Sequence, residues 1–149
     1  MKKIIFGALA LIVTGTLISF KLPTTKTTEV VAFQDVTKGK GIYAKTCLAC
    51  HQANGQGVPN AFPPLAKSDY LNANPDRAIS AVLHGLSGEI TVNGKKFNNV
   101  MTSQNLTDEQ VADVLTYIYN SWGNNKTVIT PAKVKEIRAK PVKAVAPEH

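Results

Sequence analysis

The stretch KTCLACHQ, Lys45 to Gln52, holds both cysteines of this 149-residue chain, with a histidine directly behind the second. Cysteines three apart lie on one side of a helical turn, so both sulfurs can reach the same edge of one flat ligand. The residue after them then points across that ligand's plane. Cys47-x-x-Cys50-His51 is the attachment pattern of a c-type haem: two thioethers to the porphyrin and an imidazole on the iron. A thioredoxin-like dithiol should follow a strand in a βαβ pattern, and the neighbouring sequence has none. A structural zinc site wants four ligands, and only three candidates stand nearby.

The compartment fits this chemistry. MKKIIFGALALIVTGTLISFKLP opens with two lysines and continues with an apolar run from Ile4 to Phe20. A basic start before an apolar run is the layout of an export signal. At 17 residues the run is also at the lower limit for an uncleaved membrane anchor. Either way the folded part is expected in the periplasm or otherwise exported, where neighbouring free thiols do not persist unless something occupies them.

The net charge of +7 suggests nucleic acid until its distribution is read. Residues 1–32 carry four Lys and one Glu, and residues 124–149 carry six Lys or Arg and two Glu, whereas residues 33–123 carry seven of each sign. The basicity lies in the flanks. Without a basic stripe interleaved with aromatics, nucleic-acid binding is excluded. The expected organisation is a signal peptide or anchor over 1–22, a linker over 23–34, one folded domain over 35–123 and a basic tail over 124–149.

Within the domain a first helix starts near Asp35 or Thr37 and runs into the cysteine motif. The Gly-, Asn- and Pro-rich segment after His51 reads as an ordered loop. A second helix is capped by Asn74, has Pro75 at its first position and stops at Gly85. Asn93-Gly94 is a two-residue hairpin turn between Ile90–Val92 and Lys95–Phe97. The last helix of the domain has a capping box, Thr107 with Gln110, and an apolar stripe of Val111, Val114, Leu115 and Ile118. In the tail, Thr130 and Pro131 open a short helix, and the sequence beyond Lys140 reads as disordered.

A haem iron bound by His51 needs a sixth ligand or an open site. Met1 belongs to the signal, so Met101, in the loop before the last helix, is the available thioether. His84 is the rival, but beside Gly85 it suits a helix end. His149 lies in the terminal tail.

These residues resemble a family. Gly39-x-x-x-Tyr43-x-x-x-Cys47-x-x-Cys50-His51, the Pro63-Pro64-Leu65 loop, Met101 and the last helix with Tyr117 are similar to bacterial class I monohaem cytochromes c, from about Val36 to Gly123. The resemblance implies an all-α fold of three to five helices around one covalent haem c, with a small β-hairpin before the methionine loop. It implies that Gly39 and Tyr43 cross Leu115 and Tyr117 or Ile118 closely, and that the Pro63 carbonyl accepts a hydrogen bond from His51. HGLSGEITVNGKKFNNVM further resembles cytochrome modules of periplasmic oxidoreductases, although Thr102 stands where those often have proline. The implied work is electron transfer with redox partner proteins: an oxidase, a reductase or a dehydrogenase. Leu48, Ala49, Val58 and Ala61 would form the docking surface, with Lys45 and Lys67 at its rim. Two other classes stay open at this stage: a haem enzyme or gas-sensing module with a labile sixth ligand, and a haem-free dithiol or metal module.

Overall fold

The computed structural model describes residues 36–141. The expected signal or anchor, the linker and residues 142–149 lie outside that range. The described chain is mainly helical, with one two-stranded antiparallel sheet. Helix α1 (Val36–Thr46) leads into a single turn, α2 (Leu48–His51), and a long loop then reaches α3 (Asp69–Ala73) and α4 (Pro75–His84). The hairpin β1 (Ile90–Val92) and β2 (Lys95–Phe97) precedes α5 (Asp108–Tyr119) and α6 (Pro131–Arg138). These are six helical segments among the described residues, against three to five expected. The five-residue α3 was not anticipated: it is too short for a hydrophobic period to reveal it.

The central packing is α1 across α5. Gly39 is buried on α1, and a Cβ there would strike the Asp113 carbonyl oxygen and lie 2.7 Å from Tyr117 Cβ. Glycine is therefore required by the close approach of the two backbones. Of the expected partners, Tyr117 is the one found against Gly39; the other contact is the Asp113 backbone. Further along the same face the rings of Tyr43 and Tyr117 lie 5.6 Å apart, and Trp122 closes the group at 5.2 Å from Tyr43 and 5.6 Å from Tyr117.

Helix α5 forms as its sequence dictates. Thr107 Oγ1 accepts from Gln110 N–H, Gln110 Oε1 accepts from Thr107 N–H, and Val111, Val114, Leu115 and Ile118 are buried. Helix α4 has Asn74 as its cap, accepting from Arg77 N–H at 3.0 Å, and buries Ile79, Val82 and Leu83.

The short helix expected in the tail is α6, capped by Thr130. It packs on α4 and α5 and buries Val134 and Ile137, each burial contributing about 1.5–3 kcal/mol. Ile129 is also buried, its N–H bonded to Thr116 Oγ1 at 3.0 Å. Arg138 Nε donates to Asp108 Oδ1 at 2.7 Å, and Lys133 pairs with Asp76 at 2.9 Å.

In the hairpin, Asn93 and Gly94 both take positive φ, 49° and 75°, as the two-residue turn demands. Ile90 pairs with Phe97, and Ile90, Val92 and Phe97 turn inward against Tyr70 and Leu86. A reciprocal clasp fixes the hairpin tip to α3: Asn93 N–H donates to Asp69 Oδ1 at 2.7 Å, and Asp69 N–H donates to Asn93 Oδ1 at 3.0 Å.

Candidate cofactor site

The helix breaks at Cys47 and resumes at Leu48, so both cysteines and His51 sit on one tight turn. Cys50 N–H and His51 N–H both donate to the Cys47 carbonyl, at 3.2 and 2.9 Å. Both cysteines are half-buried, and the Thr46 hydroxyl lies 3.3 Å from Cys47 Sγ.

His51 is buried, and its Nδ1–H donates to the Pro63 carbonyl at 3.0 Å. A carbonyl only accepts, so Nδ1 carries the proton and Nε2 keeps its lone pair. Burial also pushes the imidazole below its ordinary range, with the Pro63 bond acting against it. The result is a neutral, oriented imidazole, the form that binds metals.

The loop that presents Pro63 is closely tied. Gly57 N–H donates to the His51 carbonyl at 3.0 Å, Val58 and Phe62 form a bridge, and Leu65 and Ala66 both donate to the Gly55 carbonyl, at 2.7 and 2.9 Å. Gly57 has φ 67°, and a Cβ on it would strike the Phe62 carbonyl and lie 2.6 Å from that of Pro63. Tyr43 Oη from α1 donates to the Gln52 carbonyl at 2.7 Å, and Asn124 Nδ2 donates to that of Leu65 at 2.9 Å.

Met101 arrives from the loop between β2 and α5. It exchanges two backbone hydrogen bonds with Leu86, both 2.9 Å. Gln104 N–H donates to the Val82 carbonyl at 2.9 Å, and Asn99 Nδ2 donates to the Ala61 carbonyl at 2.9 Å. The last bond ties the methionine loop to the loop carrying Pro63.

Two adjoining cavities share Cys47, His51, Pro63 and Met101 in their walls. One is largely apolar, formed by α3, α4, α5 and the hairpin. The other is more polar and reaches Cys50, Asn99 and the exposed Val100. Two thiols on one turn, a neutral imidazole and a thioether around an apolar space fit a flat, covalently held metal macrocycle.

Residues 36–122 match the sequence profile of the cytochrome c family. The chain is a cytochrome c. Cytochrome c-552 of Thermus thermophilus is 46% identical over 112 residues, covering 68% of this chain and 85% of that protein. The cytochrome c subunit of a quinone alcohol dehydrogenase from Gluconacetobacter polyoxogenes is 33% identical over 105 residues, covering 67% of this chain and 22% of the subunit. The fructose dehydrogenase cytochrome subunit of Gluconobacter japonicus is 29% identical over 109 residues, with 69% and 22% covered. This chain thus resembles class I cytochromes c, including modules of oxidoreductases. It is an electron carrier with covalent haem c rather than a catalyst, and Cys47, Cys50 and His51 supply the family motif.

Of the residues read as holding the cofactor, Cys47, Cys50, His51, Pro63 and Met101 all lie in the cavity walls of this cytochrome; His149 lies outside the described residues. His84 sits half-buried at the end of α4 and lines neither cavity. Sequence reasoning missed Arg77, Tyr70 and Ser68, which line the apolar cavity, and Asn99 and Val100, which line the other. Arg77 stands one turn before Ala81, whose apolar neighbours mark the inner face of α4; that position was its only signal. Val100, 68% exposed, adds to the expected docking residues, of which Leu48 and Ala49 are exposed and Val58 and Ala61 half-buried.

Proposed function

We propose that His51 and Met101 bind the haem iron from opposite faces, that Cys47 and Cys50 hold the porphyrin by thioether bonds, and that the protein shuttles single electrons outside the cytoplasm. When bound, the haem supplies a one-electron iron couple. The observation that carries this reading is the cavity wall shared by His51 and Met101. Pro63 fixes the imidazole's tautomer and plane, so Nε2 need not reorient when the charge on the metal changes. Met101, as a soft neutral ligand, would favour the reduced state and raise the potential. With His51 and Met101 both holding the iron, a substrate would find no place on it, and outer-sphere transfer would be the remaining chemistry.

The sequence supports export: Lys2 and Lys3 before the Ile4–Phe20 run act as a cleaved signal or as an anchor. Among the described residues no helix is long and apolar enough to cross a membrane. Partners are redox proteins, an oxidase, a reductase or a dehydrogenase; the likeness to dehydrogenase cytochrome subunits supports the last. They dock around the turn of Cys47 and Cys50 through Leu48, Ala49, Val58, Ala61 and Val100, with Lys45 and Lys67 at the rim. A carrier must leave quickly, so a small, weakly held patch suits it.

The deciding experiment is optical. Protein matured with haem-attachment machinery should show a low-spin haem spectrum with the weak sulfur-to-iron band at the red edge of the ferric spectrum. Met101→Ala should abolish that band and lower the midpoint potential. An unaltered band in Met101→Ala, or a wild-type protein with five-coordinate iron at rest, would refute the His/Met carrier and favour a haem enzyme or gas sensor.

A further inference from the structure

We propose that Asn93 is a site of spontaneous covalent modification and that its clasp with Asp69 sets the rate. Asparagine followed by glycine occurs twice in the chain, at Asn54-Gly55 and Asn93-Gly94. In such a pair the glycine nitrogen can attack the side-chain amide carbon of the asparagine, because no Cβ obstructs its approach. At the hairpin tip the bond formed joins Gly94 N to Asn93 Cγ, and the bond broken is Cγ to Nδ2. The Nδ2 group leaves as ammonia, taking the proton of the Gly94 N–H. Water then opens the five-membered ring at either of its carbonyls. One product is aspartate; the other is isoaspartate, in which the chain runs through the side-chain carbon. Nothing is oxidised or reduced, and water is the one co-reactant.

The two pairs are held in different ways. Gly55 is buried, its N–H donates to the Gln52 carbonyl at 3.1 Å, and its own carbonyl accepts from Leu65 and Ala66. A Cβ on it would strike the Trp122 ring. That nitrogen is fixed in the core and cannot swing onto Asn54. Gly94 is exposed, and a Cβ there would meet nothing within 4 Å. What restrains Asn93 is the clasp: its Oδ1 accepts from Asp69 N–H at 3.0 Å, while Asp69 Oδ1 accepts from Asn93 N–H at 2.7 Å and from Tyr70 N–H at 2.6 Å. Ring closure has to bring Asn93 Cγ to bonding distance of Gly94 N, which turns the side chain away from Asp69. The clasp joins exposed groups, so it opens by local fraying rather than by unfolding of the core. Either product then sets a new carboxylate against that of Asp69, and like charges repel. Isoaspartate also lengthens the backbone of a two-residue turn whose geometry fixes the pairing of Ile90 with Phe97. Ile90 and Val92 line the apolar cavity, so reaction at the tip loosens one wall of the cofactor site.

The test ages the haem-loaded protein at mildly alkaline pH and follows both asparagines by peptide mapping with detection of isoaspartate. In the folded protein Asn93 should convert several-fold faster than Asn54, and in denaturant the two should convert at comparable rates. Asp69→Ala should speed conversion at Asn93 several-fold and leave Asn54 unchanged. Asp69→Asn keeps an acceptor oxygen and should stay near the wild-type rate. The converted fraction, separated by its extra negative charge, should keep its covalent haem and unfold at a lower denaturant concentration than fresh protein. Should Asp69→Ala accumulate poorly, the wild-type comparison of the two asparagines, folded and unfolded, decides by itself. Folded Asn54 converting as fast as Asn93, or Asp69→Ala converting at Asn93 no faster than wild type, overturns the proposal and leaves the carrier function standing.

Discussion

The two sides of the cavity are held in very different ways. On the His51 side, the backbone from Gln52 to Ala66 receives hydrogen bonds from α1, from the segment after α5 and from itself, and His51 is only 9% exposed. On the Met101 side, the loop is held by the paired bonds to Leu86, one to Val82 and one side-chain bond from Asn99, and Val100 next to the methionine is 68% exposed. The histidine is built into the core, whereas the methionine is laid over it. Local opening begins where few buried contacts hold a segment. The methionine side should therefore yield first under heat, acid or an added iron ligand, while the histidine side persists until the whole fold unfolds.

Glycines on the two sides offer the sharpest contrast. Gly57→Ala forces a side chain into the carbonyls of Phe62 and Pro63 at φ 67°, and it should cost about 3 kcal/mol or more of global stability in denaturant titration of the haem-loaded protein. Gly85 has φ 83°, and a Cβ there would lie 2.6 Å from the Met101 carbonyl. Gly85→Ala should mainly weaken the sulfur-to-iron band, at a global cost of about 1–3 kcal/mol. A Gly57→Ala protein that unfolds like wild type, or a Gly85→Ala protein with the larger global loss and its band intact, would break the comparison.

Asn99→Ala removes the one side-chain bond between the two loops. The expected cost is about 1 kcal/mol. Added imidazole should displace the methionine several-fold more readily, and equal displacement in variant and wild type would argue that the loop is held elsewhere.

The last effect is confined to alkaline pH and leaves stability at neutral pH untouched. Tyr119 donates to the Leu71 carbonyl at 2.9 Å, and burial pushes it up to about 12. Its folded value exceeds its ordinary one, near 10, so the unfolded chain loses this proton first as pH rises. The stabilisation is complete below about pH 10 and is lost progressively between about pH 10 and pH 12. Tyr119→Phe should flatten that part of the stability profile in denaturant titrations at stepped pH.

What the sequence revealed followed from local chemistry. The cysteine–histidine turn, the Thr107 capping box, the Asn93-Gly94 turn and the Pro75 start each depend on a few adjacent residues, and each appears where expected. Pro63 required a family likeness, because no local rule says which carbonyl of a proline-rich loop will meet a distant imidazole; its bond to His51 is now visible at 3.0 Å. Arg77, Asn99 and the burial of α6 were illegible for a similar reason. Each draws its role from a partner far along the chain: α3 for Arg77, the Ala61 carbonyl for Asn99, and α4 and α5 for Val134 and Ile137. A Lys-rich segment beginning at residue 124 reads as solvated tail until the apolar residues spaced through it are seen to have somewhere to go.

That closing helix has an engineering consequence. The match to the family profile stops at residue 122, yet Ile129, Val134 and Ile137 are buried beyond it. Trimming this carrier at residue 122 would lay bare a greasy furrow along two helices and invite one copy to stick to another. Any graft onto an electrode or a foreign dehydrogenase should therefore splice after Arg138, leaving the latch shut.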